Sequence, residues 1–189
     1  ISRSGIVDTT LLVIQGLNGL QLGLLLFLVA SGLTLVFGIL DFVNLAHGSL
    51  YMVGAFICAS LTFYFDSFLI ALVVSLPLIG IFGYLFEIIV ARKLYERDHL
   101  DHVLGTFGAI LVIDTVAHII WGANGISVPL PDYLEGQVSL TSDIQIPVFR
   151  LLIIAAGLAS AAGLFWMVNY TRLGMLIRAG ASNRTMVSA

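Results

Sequence analysis

Charge is scarce in this sequence. Only 10% of its 189 residues are Asp, Glu, Lys or Arg, while 59% are hydrophobic and the mean hydropathy is +1.07. Soluble domains are about one quarter charged, so a chain this poor in charge needs lipid as its solvent. The formal net charge of −3 is spread along the sequence, which leaves no basic face for phosphates and sets nucleic acid aside as a partner. Cysteine is nearly absent too. A lone Cys58 can form neither an internal disulfide nor a multi-cysteine metal site, and inside an apolar run it reads as a small packing residue. There is no phosphate-cradling Gly-x-x-x-x-Gly-Lys-Ser/Thr loop, no His-Glu-x-x-His and no Gly-x-Ser-x-Gly, so a membrane enzyme is a poor reading. A cleavable leader would have a basic start and a short apolar run. Here the first apolar run continues to about Leu40 and reads as a permanent span.

What the sequence does have is apolar stretches of about 17 to 30 residues, enough to cross a ~30 Å hydrocarbon core as helices. The expected fold is all-α, a polytopic transmembrane helical bundle. Its five spans are expected at about 11–38, 50–65, 68–90, 103–121 and 150–168. The first is rich in glycine, which suits close helix packing in a bilayer. Asp66-Ser67 makes a tight turn between the second and third, and Pro77 predicts a kink in the third. The fifth carries Ala155, Ala159 and Gly163 every four residues, a stripe where another helix can approach. Residues 91–102 are the most charged window. Residues 122–149, with three prolines and three acids, make a long loop outside the hydrocarbon, with short structured pieces allowed. The chain opens at Ile1 and stops at Ala189 within a polar helical pattern, so the expectation is a piece of a longer protein, with a domain count that is only a lower bound.

Orientation follows the Lys and Arg residues. Arg92, Lys93 and Arg97 mark 91–102 as cytoplasmic, and Arg172, Arg178 and Arg184 mark 170–189, whereas 122–149 has none and is external. Counting spans back places the N-terminus outside and residues 41–48 near the cytoplasmic end of the first span.

That segment, Asp41-Phe-Val-Asn44-Leu-Ala-His47-Gly48-Ser49, is the chemical anomaly of the chain. Two readings stand open. One is a broken or re-entrant helix, near 41–50, whose freed backbone groups and polar side chains line a solute path, with Asn44 and His47 offering hydrogen bonds. The other is a tight turn in which Asn44 caps the next helix and His47 bonds a neighbouring carbonyl. A metal role for His47 lacks a second ligand at suitable spacing. Further on, Asp114 and His118 stand one helical turn apart and share a face. A mutually bonded pair facing another helix is expected there, ahead of a proton relay. Glu87 is expected at the interface with Arg92 and Lys93 in reach. After Asn169, apolar Leu173, Leu176 and Ile177 alternate with Arg172 and Arg178, a pattern of one apolar and one basic face. Periodicity alone fits an ordinary basic juxtamembrane segment.

The run Gly32-Leu-Thr-Leu-Val-Phe-Gly-Ile-Leu-Asp-Phe-Val-Asn-Leu-Ala-His-Gly-Ser-Leu-Tyr-Met-Val-Gly-Ala-Phe56, with Asn44-Leu-Ala-His-Gly48 at its core, resembles the signature of permease subunits of high-affinity branched-chain amino acid ABC transporters. A second run, Thr171-Arg-Leu-Gly-Met-Leu-Ile-Arg-Ala-Gly-Ala-Ser-Asn-Arg-Thr-Met-Val-Ser-Ala189, resembles the cytoplasmic loop by which such permeases grip their ATPases. The resemblance covers essentially the whole chain, although family members usually continue with further spans, so the present chain alone is not expected to transport.

The resemblance implies a multi-pass bacterial inner-membrane protein, set in membrane lipid. It would work with a second homologous permease subunit, two cytoplasmic ATPase subunits and a periplasmic solute-binding protein. It implies no cofactor in this chain, because ATP is used by the partners. Asn44, His47, Gly48 and Tyr51 become candidates for the substrate path, and Gly174, Arg178, Ala179 and Asn183 for coupling to the ATPase. Permeases for urea, short amides and other amino acids look similar, so these remain alternative solutes. An ion-coupled transporter or channel, using Asp41, Asp114 and His118, is the rival from another class.

Overall fold

The computed structural model describes residues 3–141, 144–172, 174, 175, 177 and 178. Five long helices dominate it: α1 (Arg3–Leu40), α2 (His47–Phe65), α3 (Phe68–Ile89), α4 (His99–Trp121) and α5 (Val148–Tyr170). Each contains a stretch long and apolar enough to cross a membrane, so the chain is a polytopic helical membrane protein. Large apolar side chains cover the outside, among them Leu12, Val73, Leu104 and Ile119. A soluble protein would hide such residues; a lipid-facing one must display them.

The chain divides into two compact units, Ile1–Ser31 with Leu130–Ala189, and Gly32–Pro129. In the second, α2 and α3 form a helical hairpin. Asp66 closes the turn in the left-handed region (φ +49°), which the short side chain of Asp tolerates better than most. The helices approach closely because the facing residues are small. Ala71 and Ser75 are buried, and Ile79 lies where a Cβ on Gly54 would meet it at 3.3 Å. Pro77 sits inside α3, which runs on through it as one helix.

Between α3 and α4 the charged window begins as a short 3-10 turn (Ala91–Lys93). Arg92 closes a two-pronged pair with Glu87, Nε to Oε1 at 3.1 Å and Nη2 to Oε2 at 3.0 Å. The acid at the end of α3 is thus held by a cation at the interface. Helix α4 starts at His99, so the last residues of the polar window already belong to it. At its far end Trp121 stacks on Phe56 (4.9 Å between ring centroids, 10° between planes) and donates its Nε1–H to Ser60 Oγ at 2.8 Å.

In the first unit, α5 meets α1 at buried Gly157, where a Cβ would approach Leu24 to 3.0 Å; Ile154 is buried too. Ala155, Ala159 and Gly163 lie on the exposed side instead. The loop before α5 contains a 3-10 turn (Asp132–Leu134) and an antiparallel hairpin of β1 (Gln137–Thr141) and β2 (Ile144–Pro147). Buried Leu134 and Ile146 are the apolar anchors of this small β addition to an otherwise helical fold.

Candidate functional site

Six residues interrupt the helices where polar side chains concentrate, and their position follows from what they touch. Helix α1 ends at Leu40, and Asp41 turns the chain with a left-handed backbone (φ +52°). Yet His47, the first residue of α2, lies against Gly32: a Cβ there would stand 3.2 Å from imidazole Cε1 and Nε2. Gly32 is eight residues, about 12 Å at 1.5 Å per residue, before the end of α1. Residues 41–46 therefore retrace two turns of the helix they have just left. Helix α4 reports the same depth. The Leu45 N–H donates to Thr106 Oγ1 at 3.2 Å, and Thr106 is seven residues, about 10 Å, into α4. The break thus reaches inward past the charged residues that mark the membrane edge.

Non-helical backbone at such depth must be satisfied by protein or by water in a cavity. Here protein does much of it. Asn44, 7% exposed, accepts the Ala46 N–H with its side-chain Oδ1 at 3.0 Å. This is an Asx-type turn, one residue ahead of the helix start. Phe42, 1% exposed, is wedged between Tyr95 of the charged window (edge-on, 5.4 Å) and His102 of α4 (4.9 Å). His102 is itself fixed by a 2.8 Å hydrogen bond between Nε2 and the Leu94 carbonyl, with His99 edge-on to its ring at 5.5 Å. At the surface, His99 Nε2 and Asp41 Oδ2 stand 3.8 Å apart. In the first turn of α2, Ser49 Oγ donates to Asp114 Oδ1 of α4 at 2.8 Å.

Of the residues expected along the path, Asn44 is buried in the turn, His47 is half-buried beside Gly32, and Gly48 and Tyr51 are exposed on the first turns of α2. The geometry joins features of both readings of 41–48: Asn44 does make a turn, and that turn lies inside the span. Asp114 pairs with Ser49 and not with His118, which is exposed. Phe42, Thr106 and Ser49 were not singled out from sequence. Thr106 and Ser49 were visible only as polar residues in apolar surroundings, and nothing in linear order ties either to a partner about sixty residues away.

A second polar element follows α5. Thr171 leaves the helix with an extended backbone, its Oγ1 accepts the Gly174 N–H at 3.2 Å, and its carbonyl accepts the Met175 N–H at 3.1 Å. This is the N-cap of a new helical turn. A Cβ on Gly174 would collide with the Val168 backbone, so only glycine lets the turn fold so tightly onto the end of α5. Arg178 donates from Nη1 to the Val168 carbonyl, a cation placed at a helix C-terminus. Ala179 and Asn183 lie outside the described residues.

A bundle of apolar helices with one helix broken inside the membrane and a capped polar turn at its end has the anatomy of a transport protein's membrane subunit. The matches agree. The family model for the branched-chain amino acid transport system / permease component matches residues 16–189, and the chain belongs to that family. It is 28% identical over 186 residues to the high-affinity branched-chain amino acid transport system permease protein BraD of Pseudomonas aeruginosa, covering 92% of this chain and 60% of the relative. The corresponding LivH proteins of Salmonella typhimurium and Escherichia coli K12 are 25% identical over 187 residues, again with 92% and 60% covered. The chain therefore spans three fifths of the length of these relatives. No solved structure matches. The chain is a multi-pass protein of the inner membrane.

Proposed function

We propose that this chain is part of the permease subunit of an ABC importer that carries branched-chain amino acids across the inner membrane. The observation that carries the reading is the family match over 16–189 on a chain whose α1–α2 break retraces two turns inside the membrane. The chain supplies the route and no hydrolysis; ATP is used by two separate cytoplasmic ATPases. A second homologous permease completes the bundle, and a periplasmic binding protein delivers solute from outside. Asn44, His47, Gly48 and Tyr51 would line part of the path. The polar turn after α5, where Gly174 bonds to Thr171 and Arg178 to the Val168 carbonyl, would receive the ATPases.

Uptake of labelled leucine by the assembled transporter tests this. The expected result is uptake that needs both ATP and the binding protein. Uptake that survives ATP depletion but collapses with a proton or sodium uncoupler would replace the importer with an ion-coupled carrier.

A further inference from the structure

Asp114 is a carboxylate deep inside a span. It lies fifteen residues, about 22 Å, past His99 and seven residues, about 10 Å, short of Trp121. Ionisable groups at such depth are costly and usually functional. Ser49 Oγ holds one carboxylate oxygen at 2.8 Å. Among the described residues no Lys, Arg or His lies within ion-pair distance of Asp114; the contacts at that distance are Arg92–Glu87 and His99–Asp41. The residue is half-buried, not sealed. Ser49 is the third residue of α2, so the carboxylate sits beside the first turn of a helix.

A carboxyl group oriented by a hydroxyl, with no cation within ion-pair distance among the described residues, is complementary to an ammonium group. We propose that Asp114, positioned by Ser49, binds the ammonium of an amino-acid solute at the α2–α4 seam. The proposal rests on the amino-acid reading above and names its specificity-determining residue. A branched-chain amino acid presents one ammonium, one carboxylate and an aliphatic branch. The charge-assisted contact with the ammonium distinguishes it from an equally apolar acid.

The alternative is that Asp114 is neutral and merely ties α2 to α4. Asp114→Asn separates the two, since it keeps an acceptor for Ser49 and removes the charge. In the complete transporter with its ATPases and binding protein, D114N is expected to raise the KM for leucine at least tenfold with little change in kcat or complex yield. D114E should recover part of the loss. Isopentylammonium should inhibit wild type and spare D114N, while 4-methylpentanoate should not distinguish them.

Leucine uptake by D114N at wild-type KM would overturn the assignment. So would wild-type uptake indifferent to isopentylammonium, or a cation effect that follows sodium instead. Should D114N fail to assemble, S49A decides, because it removes only a hydroxyl: weaker isopentylammonium inhibition supports the site, unchanged inhibition refutes it. A wild-type complex that carries no leucine but binds isopentylammonium in calorimetry, and loses it in D114N, would remove the solute reading and keep the ammonium site.

Discussion

Phe42 is the residue on which the helix break turns. Its ring is buried between Tyr95 and His102, so the polar segment beside it cannot shift without moving the charged window. Phe42→Ala leaves a cavity, and core truncations of this kind cost about 3–5 kcal/mol. The expected result is a clear fall in the unfolding midpoint of detergent-solubilised protein, measured by tryptophan fluorescence. Gly32→Val acts differently. The imidazole of His47 already stands 3.2 Å from where a Cβ would go, and a branched side chain must push it aside. Assembled but transport-poor transporter is expected; normal uptake by G32V would remove His47's present position from the mechanism.

Tyr95 carries a pH effect at this scale. Burial, and then the nearby charge of Glu87, raise its phenol above the usual value. The neutral form is therefore favoured in the folded chain. This contribution is fully present below the ordinary tyrosine pKa of about 10 and disappears as pH climbs through the raised value. Between pH 6 and 9 Tyr95 should impose no pH dependence on stability. Titration by ultraviolet difference absorbance should show a late-ionising phenol that Tyr95→Phe removes.

Among the elements, the break between α1 and α2 shows how far linear order reaches. Asp, Asn, His and two glycines together inside an apolar run are legible as a breach in the helix, because each carries a polar group or a helix-weakening backbone. How the breach folds is not legible. That it doubles back depends on Thr106 Oγ1 accepting the Leu45 N–H, and on Gly32 leaving room for His47. The fifth helix teaches the same lesson in the opposite sense. A four-residue stripe of small residues was plain in its sequence, yet the close contact with α1 uses Gly157 on another face. Small residues permit approach on any side, and the partner chooses which. Gly157→Leu should accordingly disturb α1–α5 packing, read as a lower midpoint of unfolding, while Ala159→Leu should leave it unchanged within this chain.

For the molecule as a whole, the distribution of Lys and Arg predicts the sidedness. In a Cys58→Ala background, single cysteines at Glu96 and Arg172 should react with membrane-impermeant reagent only from the cytoplasmic side, and one at Glu135 only from outside. Labelling of positions 96 and 172 from opposite faces would break the proposed scheme. At the capped turn after α5, Arg178→Glu replaces a cation at the Val168 carbonyl with an anion and should weaken ATPase association while insertion stays normal, measured by co-purification.

Composition alone required a lipid solvent, and the length of the apolar runs dictated five helical spans. These follow because burial in hydrocarbon acts on every residue of a segment independently of its neighbours in space. The β-hairpin before α5, the pairing of Asp114 with Ser49 instead of His118, and the doubling back of residues 41–46 came from elsewhere. Each depends on a contact between groups distant along the chain or on a choice among equivalent faces, and such choices are made only when helices meet.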